Sequence, residues 1–370
     1  MATDQGKNFW CGGRERDGMK KQLQQIRQKL DKVLLPYAAK SRLAATLYYA
    51  FFNPHFRREQ HATAAGRHHY HLHEESSSIA TVILRRNIHR LEKGLSMVPR
   101  KSLFALDYID ETLTALGNLL QDDAVDLVLL KYAHDVLESY FAVTQWPEAA
   151  TQPALYQQLS LQIKPKLAAQ LATSCQQQRL AAPAPYQTRP RAAISYDEFL
   201  ILCQQRCSVR TFLPKPVPKE VLEQAVAAAS QAPSACNRQP FRYIAATEGE
   251  MLTKLANLPM GTVGYANGIP ALLAVVGDLS AYPFERDRHV IYIDASLSNM
   301  QLMLALETMG LASCSINWPD IENYEAKIGR LLKLQPFERV VMLIAVGYPD
   351  PQALIPHSEK KTATELLTYV

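Results

Sequence analysis

Arg206-Cys207-Ser208-Val209-Arg210-Thr211-Phe212 is followed, further along the chain, by Ala232-Pro233-Ser234-Ala235-Cys236-Asn237-Arg238-Gln239-Pro240-Phe241. In an extended stretch, Arg206, Ser208 and Arg210 take alternate positions. Two guanidiniums and a hydroxyl then point the same way and can hold one phosphate. The second segment is a polar, helix-breaking loop whose Asn237 and Gln239 can read the amide and carbonyl edges of a flat heterocycle. A phosphate clamp followed by a ring reader describes a site for flavin mononucleotide (FMN).

The surroundings of this pair suit a folded enzyme. With 370 residues, 48% of them hydrophobic and 20% charged, the chain predicts two domains of ordinary soluble composition. Its longest apolar runs, Pro270 to Gly277 and Val340 to Gly347, fall short of the ~18 residues that a membrane span needs and read as buried strands. Met1 to Gly18 has no apolar core of a signal peptide, so a cytoplasmic location is expected. The six cysteines follow no disulfide or metal framework, and Cys203 and Cys207, four apart, make only a lone pair. The net charge of +5 is modest and concentrated before Lys101.

Before residue 180 the chain reads as helix after helix: Met19 to Leu35, Tyr37 to Phe52, Ser76 to Gly94 with Gly94 as a left-handed cap, Ser102 to Leu120, Ala124 to Phe141, and one or two more in Pro153 to Leu180. Residues 181–194, with three prolines and no periodicity, read as a stiff Pro/Ala-rich linker between a helical domain, 1–180, and a second domain, 195–370. There the period changes. A Ser195/Glu198 capping box opens a helix that delivers Arg206, and Pro218 opens another over Lys219 to Ser230. Strands are expected at Phe241 to Thr247, Ala271 to Gly277, Ser313 to Ile316 and Val340 to Gly347. Helices are expected at Val290 to Met309 and Ile321 to Leu334. The fold class is α+β, one mixed sheet sandwiched by helices after an all-α N-terminal domain.

From about Ser195 onward the chain resembles the nitroreductase family of FMN-dependent oxidoreductases, whose motifs look like R-x-S-x-[RK]-x-F and S-P-S-x-x-N-x-Q-P-[WF]. The resemblance implies that Arg206, Ser208 and Arg210 hold the phosphate, ribityl chain and pyrimidine side of FMN. It places Pro233, Ser234, Asn237 and Gln239 along the pyrimidine edge, and Ser315 and Ile316 where backbone approaches the ring. Arg210 is the choice for the cation beside reduced flavin, where a charge at about 4 Å is worth ~4 kcal/mol at an effective dielectric near 20. The C-terminal phosphate contact falls on Lys360 or Lys361, because the strict register puts Glu359 there. Asn317 and Trp318 replace the family's acidic residue and glycine, which places Trp318 on the substrate side of the ring. The implied reaction needs no catalytic side chain: NADH or NADPH reduces the flavin in a ping-pong cycle, and a small-molecule acceptor is then reduced or the reverse oxidation occurs. The family's FMN lies at a homodimer interface, so a homodimer is expected.

Outside the resemblance, Arg86, Arg90 and Lys93 form a cationic stripe at i, i+4 and i+7, suited to an anionic acceptor if the helical half is a lid. The alternative is a solvated helix face. His69, His71 and His73 would align in a strand, but no set of ligands is completed and no metal is expected. Tyr48, Tyr49, Phe51 and Phe52 suit a bundle core better than a membrane surface. No nucleic-acid motif is present. The competing function is a non-catalytic flavin-fold remnant fused to a helical partner- or membrane-binding module.

Overall fold

The computed structural model describes residues 22, 25–26, 29–122, 124–171 and 180–370. The start of the expected Met19 to Leu35 helix, the end of the Pro153 to Leu180 helix, Met1 to Gly18, Cys11 and Cys175 lie outside the described residues. Contacts divide the chain between Gln60 and His61. In the first unit, residues 29–38 are helical and α1, Arg42–Leu47, is capped by the Ser41 hydroxyl, which accepts the Ala44 N–H at 3.1 Å. The chain then widens into a π-turn over Tyr48–Phe52. Tyr48 is buried and donates to Asp31, whereas Phe51 and Phe52 are 74% and 60% exposed, so the aromatic cluster is not the bundle core the sequence suggests. No helix among the described residues is long and apolar enough to cross a membrane.

The second unit contains both the helical region and the sheet. α2, Arg57–Leu72, begins at the end of the first unit. α3 (Ser77–Leu95), α4 (Ile109–Leu120), α5 (Leu127–Val143) and α6 (Gln152–Leu171) follow. The stripe predicted for α3 is buried at Ile79, Ile83, Ile88 and Leu91. Gly94 does not cap it. The helix runs through, and a Cβ there would run into the Phe104 ring, so this glycine admits a close neighbour instead of a left-handed turn. α4 starts seven residues later than expected, since Ser102 and Phe104 spend their carbonyls on the Gln145 N–H at 2.9 Å and the Tyr140 hydroxyl at 2.6 Å. Leu84, Leu116, Leu130, Leu137 and Ile163 close the bundle core.

Residues 181–194 are irregular around one 3-10 turn at Tyr186–Thr188. Ala181 is tied back to the bundle, its N–H donating to Asp135 at 2.8 Å. Next come α7 (Tyr196–Gln205), with the predicted capping box formed at Ser195 and Glu198, and α8 (Lys219–Ala229). β1 (Phe241–Ala246), α9 (Gly249–Ala256), β2 (Ala271–Asp278), α10 (Val290–Thr308), β3 (Ala312–Asn317), α11 (Glu322–Leu332), β4 (Glu338–Gly347) and α12 (Ala363–Leu366) complete the chain. The fold is α+β. The sheet has the order β1-β2-β4-β3, and all three ladders are antiparallel. Among the described residues the expected mixed character reduces to one parallel bridge, Ser208 to Ser313. Central β2 and β4 are apolar on both faces, with one core around Leu272, Ala274, Leu343 and Ala345 and another around Leu273, Val275, Ile344 and Val346.

Candidate functional site

α7 ends at Arg206, whose extended backbone starts the clamp. The next residues run beside β3, where the Val209 N–H donates to Ser313 at 3.1 Å, and then cross to the end of β4, where the Leu213 N–H donates to Tyr348 at 2.9 Å. Val209 and Phe212 are buried, and this anchoring leaves Arg210 exposed. The Arg206 Nε is buried without a hydrogen-bond partner. Glu307 lies near Arg206 and accepts from Gln205 at 3.3 Å; burial pushes its carboxyl up, opposed by the Gln205 bond and the Arg206 charge. Burial and then Glu307 push the Cys207 thiol up. Arg210 donates to the Ser208 carbonyl at 3.3 Å and lines a cavity of about 490 Å³. Thr262, Gly264, Tyr265 and Asn267 share that cavity. Burial raises the Tyr265 phenol, with Cys314 adding to the rise and Arg210 opposing it. Sequence reasoning missed this wall. Its signal was the turn-rich stretch Gly261-Thr262-Val263-Gly264-Tyr265-Ala266-Asn267-Gly268 between α9 and β2, whose Gly264 takes φ +94°.

The second motif precedes β1. Cys236, Asn237 and Gln239 all have φ near +53°, unusual for residues other than glycine. Hydrogen bonds hold them there. The Ala235 N–H donates to Asp294 at 3.0 Å, the Gln239 N–H to the Ser234 hydroxyl at 3.2 Å, and the Gln239 side-chain amide to the Asn237 carbonyl oxygen at 2.9 Å. The two expected ring-reading amides therefore bond to each other, leaving the Asn237 amino group and the Gln239 oxygen for other partners. Asn237 also reaches the Tyr132 hydroxyl, which itself donates to Glu92, and α3 packs against residues 235–237.

The strand order sets the relation of the two motifs. Ser208 adjoins the start of β3, at one edge of the sheet, while Gln239 leads into the start of β1, at the other edge and the other end. Three strand spacings of ~4.8 Å and about six residues of ~3.3 Å rise separate the two corners by on the order of 25 Å. One chain does not bring its clamp and its loop together.

The remaining candidates divide. Ser315 is half-buried and Ile316 buried on β3, on the clamp side, and Gly261 packs against Ile316. Trp318 is 7% exposed and donates to Glu325, which pairs with Arg339 at 3.1 Å, so it packs as a core residue just past β3. Lys360 and Lys361 lie exposed in the segment before α12. The cationic stripe is largely spent on packing. Arg86, its side chain 14% exposed, pairs with Glu111 at 2.5 Å and donates to Asn87 and Tyr70. Arg90 pairs with Asp107 at 3.1 Å and covers the Tyr108 ring; only Lys93 is exposed. His69 and His71 lie on helix α2 and His73 in the turn after it, not on a strand, with His69 and His73 stacked at 4.2 Å, and no metal-binding group of three occurs among the described residues.

Residues 203–267 and 261–348 match the model of the nitroreductase family. Iodotyrosine deiodinase 1 from Rattus norvegicus is 23% identical over 202 residues, covering 47% of this chain and 70% of its own length. A protein from Archaeoglobus fulgidus with the provisional name NADH dehydrogenase/NAD(P)H nitroreductase is 28% identical over 162 residues, 42% of this chain and 88% of its own. Among solved structures, an FMN-dependent nitroreductase from Clostridium difficile aligns with a TM-score of 0.39 at 22% identity, over 45% of this chain and 96% of its own. Residues 203–348 of this chain belong to the nitroreductase family.

Proposed function

We propose that this nitroreductase-family oxidoreductase binds FMN between two copies of the chain, the clamp of one facing the 233–239 loop of the other. The carrying observation is the placement of the two motifs at diagonal corners of one sheet, where a two-fold axis can pair each clamp with a partner's loop. The residues suit the cofactor: the buried, unpartnered Arg206 Nε is an unused donor for a phosphate, and the cavity of about 490 Å³ beside Arg210 is of ligand size. Arg206 and Ser208 would hold the phosphate, Arg210 the pyrimidine side, and Pro233, Ser234, Asn237 and Gln239 the opposite edge. Ser315 and Ile316 flank the clamp, and Lys360 or Lys361 adds charge. When bound, FMN supplies two-electron transfer between NADH or NADPH and a small organic acceptor.

The chain's own part is to fix the ring, exclude water and balance charge. The names of the relatives support two acceptor classes, nitro compounds and halogenated aromatics. The location proposed is the cytoplasm, and residues 181–194 are proposed as the joint between the helical region and residues 195–370. Purified protein decides the central point. A yellow preparation bleached by NADPH without oxygen, sedimenting as a dimer, supports the reading. Colourless protein that ignores added FMN supports a non-catalytic remnant instead.

A further inference from the structure

A cavity of about 280 Å³ lies where α3 meets the segment that leads from the loop into β1. Arg85 and Thr81 of α3 line one side, and Arg238, Gln239 and Arg242 the other, with Asp278 of β2 in the wall. Three guanidiniums converge on a space too small for a nucleotide but ample for one oxyanion. Two already have partners outside it: Arg85 meets Asp126 at 3.3 Å, and Arg242 pairs with Glu338. Asp126 is itself held by the Val128 and Leu129 N–H groups at the start of α5.

Arg238 differs. It makes no ion pair among the described residues. Its polar contact is a marginal 3.5 Å to the Ala235 carbonyl, its Cζ lies 5.2 Å from the centre of the Tyr282 ring, and its Nε is buried without a partner. The Tyr282 hydroxyl is also buried and unpartnered. Buried donors of this kind are expected to be satisfied, and of the two residues Arg238 lines the cavity, where an anion supplies the acceptor that its guanidinium lacks. The acidic wall residue does not forbid this. Asp278 is occupied by the Ser280 hydroxyl at 2.6 Å and the Ser280 N–H at 2.8 Å, and burial pushes its carboxyl up toward the neutral form. The backbone agrees, since Cys236, Asn237 and Gln239 hold left-handed conformations on both sides of Arg238, a cost that the surrounding contacts maintain.

We propose that this cavity binds a small oxyanion, a phosphate or a carboxylate, between the helical region and the flavin-side loop, with Arg238 as its principal ligand and Arg85 and Arg242 completing the charge. It takes the role that the sequence assigned to Arg86, Arg90 and Lys93. Because Gln239 lines the same cavity, the anion is the charged group of the acceptor; this last step rests on the flavin reading above, whereas the anion site does not.

The test is calorimetric titration of the full-length, FMN-treated protein with inorganic phosphate and, separately, with succinate, repeated in Arg238→Gln and Arg85→Gln variants of native circular dichroism. All are also measured with Arg206→Ala and Arg210→Ala present, so that the clamp cannot account for the signal. Binding that Arg238→Gln weakens by about 10-fold or more is expected, from the loss of one charge-assisted bond. Tighter phosphate binding identifies a phosphate ester as the source, and tighter succinate binding a carboxylate. Should Arg238→Gln misfold, Arg85→Gln alone carries the comparison, with a smaller expected loss. Absence of heat with either anion at about 10 mM, or variants that bind like the parent, overturns the site. If the protein never retains FMN yet binds phosphate through Arg238, the flavin reading fails and the anion site stands.

Discussion

Subunit complementation tests the two-corner geometry directly. Take one inactive chain with its clamp removed, Arg206→Ala with Arg210→Ala, and another with its loop disabled, Asn237→Ala with Gln239→Ala. Each arginine removed deletes a charge-assisted contact worth about 1.5–3 kcal/mol, so the clamp variant loses at least ~10-fold in FMN affinity even if only one contact counts. In a homodimer of either variant, both sites carry a defect. Co-expressed at equal levels, half of the dimers are mixed. If each site draws its clamp from one copy and its loop from the other, a mixed dimer has one site with both motifs intact and one with both broken. About a quarter of wild-type sites should then return under random pairing in a two-fold dimer. If clamp and loop of the same chain served one site, every site in every dimer would hold a defect and nothing would return. The assay is bound FMN per protein after desalting, together with NADPH-dependent bleaching. Recovery at background level, with dimers present and both variants folded, would falsify the cross-subunit site.

Three further outcomes follow from individual contacts. Arg86→Met should lower stability by roughly 1.5–3 kcal/mol, read by urea unfolding, because it removes the charge-assisted bond to Glu111, which keeps only the Asn87 amide and solvent, and leaves the Tyr70 hydroxyl without its donor; FMN content should not change, and a selective loss of acceptor turnover at unaltered stability would restore the substrate-stripe reading. Gly94→Ala should cost about 1–3 kcal/mol, since the new Cβ meets the Phe104 ring inside the bundle; a stability gain of the size that helix propensity alone predicts would contradict the packing role. Burial raises the carboxyls of Asp278 and Asp294 above their usual value, so the fold binds more protons than the unfolded chain and these groups' contribution declines as pH rises through their folded values. Asp294→Asn keeps an oxygen for the Ala235 N–H and removes the buried charge. Its stability relative to the parent should improve as pH rises from below the ordinary aspartate value of 3.8 and level off once the folded carboxyl has ionised, and a flat difference would refute the linkage.

What the sequence made legible is local. The Ser195/Glu198 capping box needs only residues within one turn of helix, and it forms as read. Val209, set between Ser208 and Arg210, is buried while Arg210 is exposed, which a single apolar residue in an extended stretch makes readable. The stripe on α3 was half legible. Periodicity found its apolar face, but the fate of Arg86 and Arg90 depended on Glu111 and Asp107, which the next helix and the turn before it supply. Gly94 shows the same limit, since its close neighbour, the Phe104 ring, lies ten residues on across a turn. Strand direction was not legible at all: β2 and β4 are apolar on both faces, the pattern of a parallel or mixed sheet, yet they are antiparallel and covered by helices on both sides. The Gly261–Gly268 wall was missed because turn residues announce a loop and not what it faces.

The helical region makes most physical sense as a support for the loop. Left-handed φ at non-glycine residues costs of order 1–3 kcal/mol each, somewhat less for asparagine, and Cys236, Asn237 and Gln239 incur it within four positions. The contacts from Ser234 and Asp294, together with the internal Gln239–Asn237 bond, offset part of this, at about 1 kcal/mol per neutral bond and more for the carboxylate. The balance is close to even, so the loop would sample other conformations if it were left open to solvent. α3 packing on residues 235–237, and the Glu92–Tyr132–Asn237 chain reaching the loop from the bundle, tip that balance toward one shape. Burial raises the Tyr132 phenol above its usual value, which favours the protonated hydroxyl that donates to Glu92. A bundle that fixes the loop also closes one side of the arginine-lined cavity. Support of the loop and selection of an anion are therefore two consequences of the same docked helix.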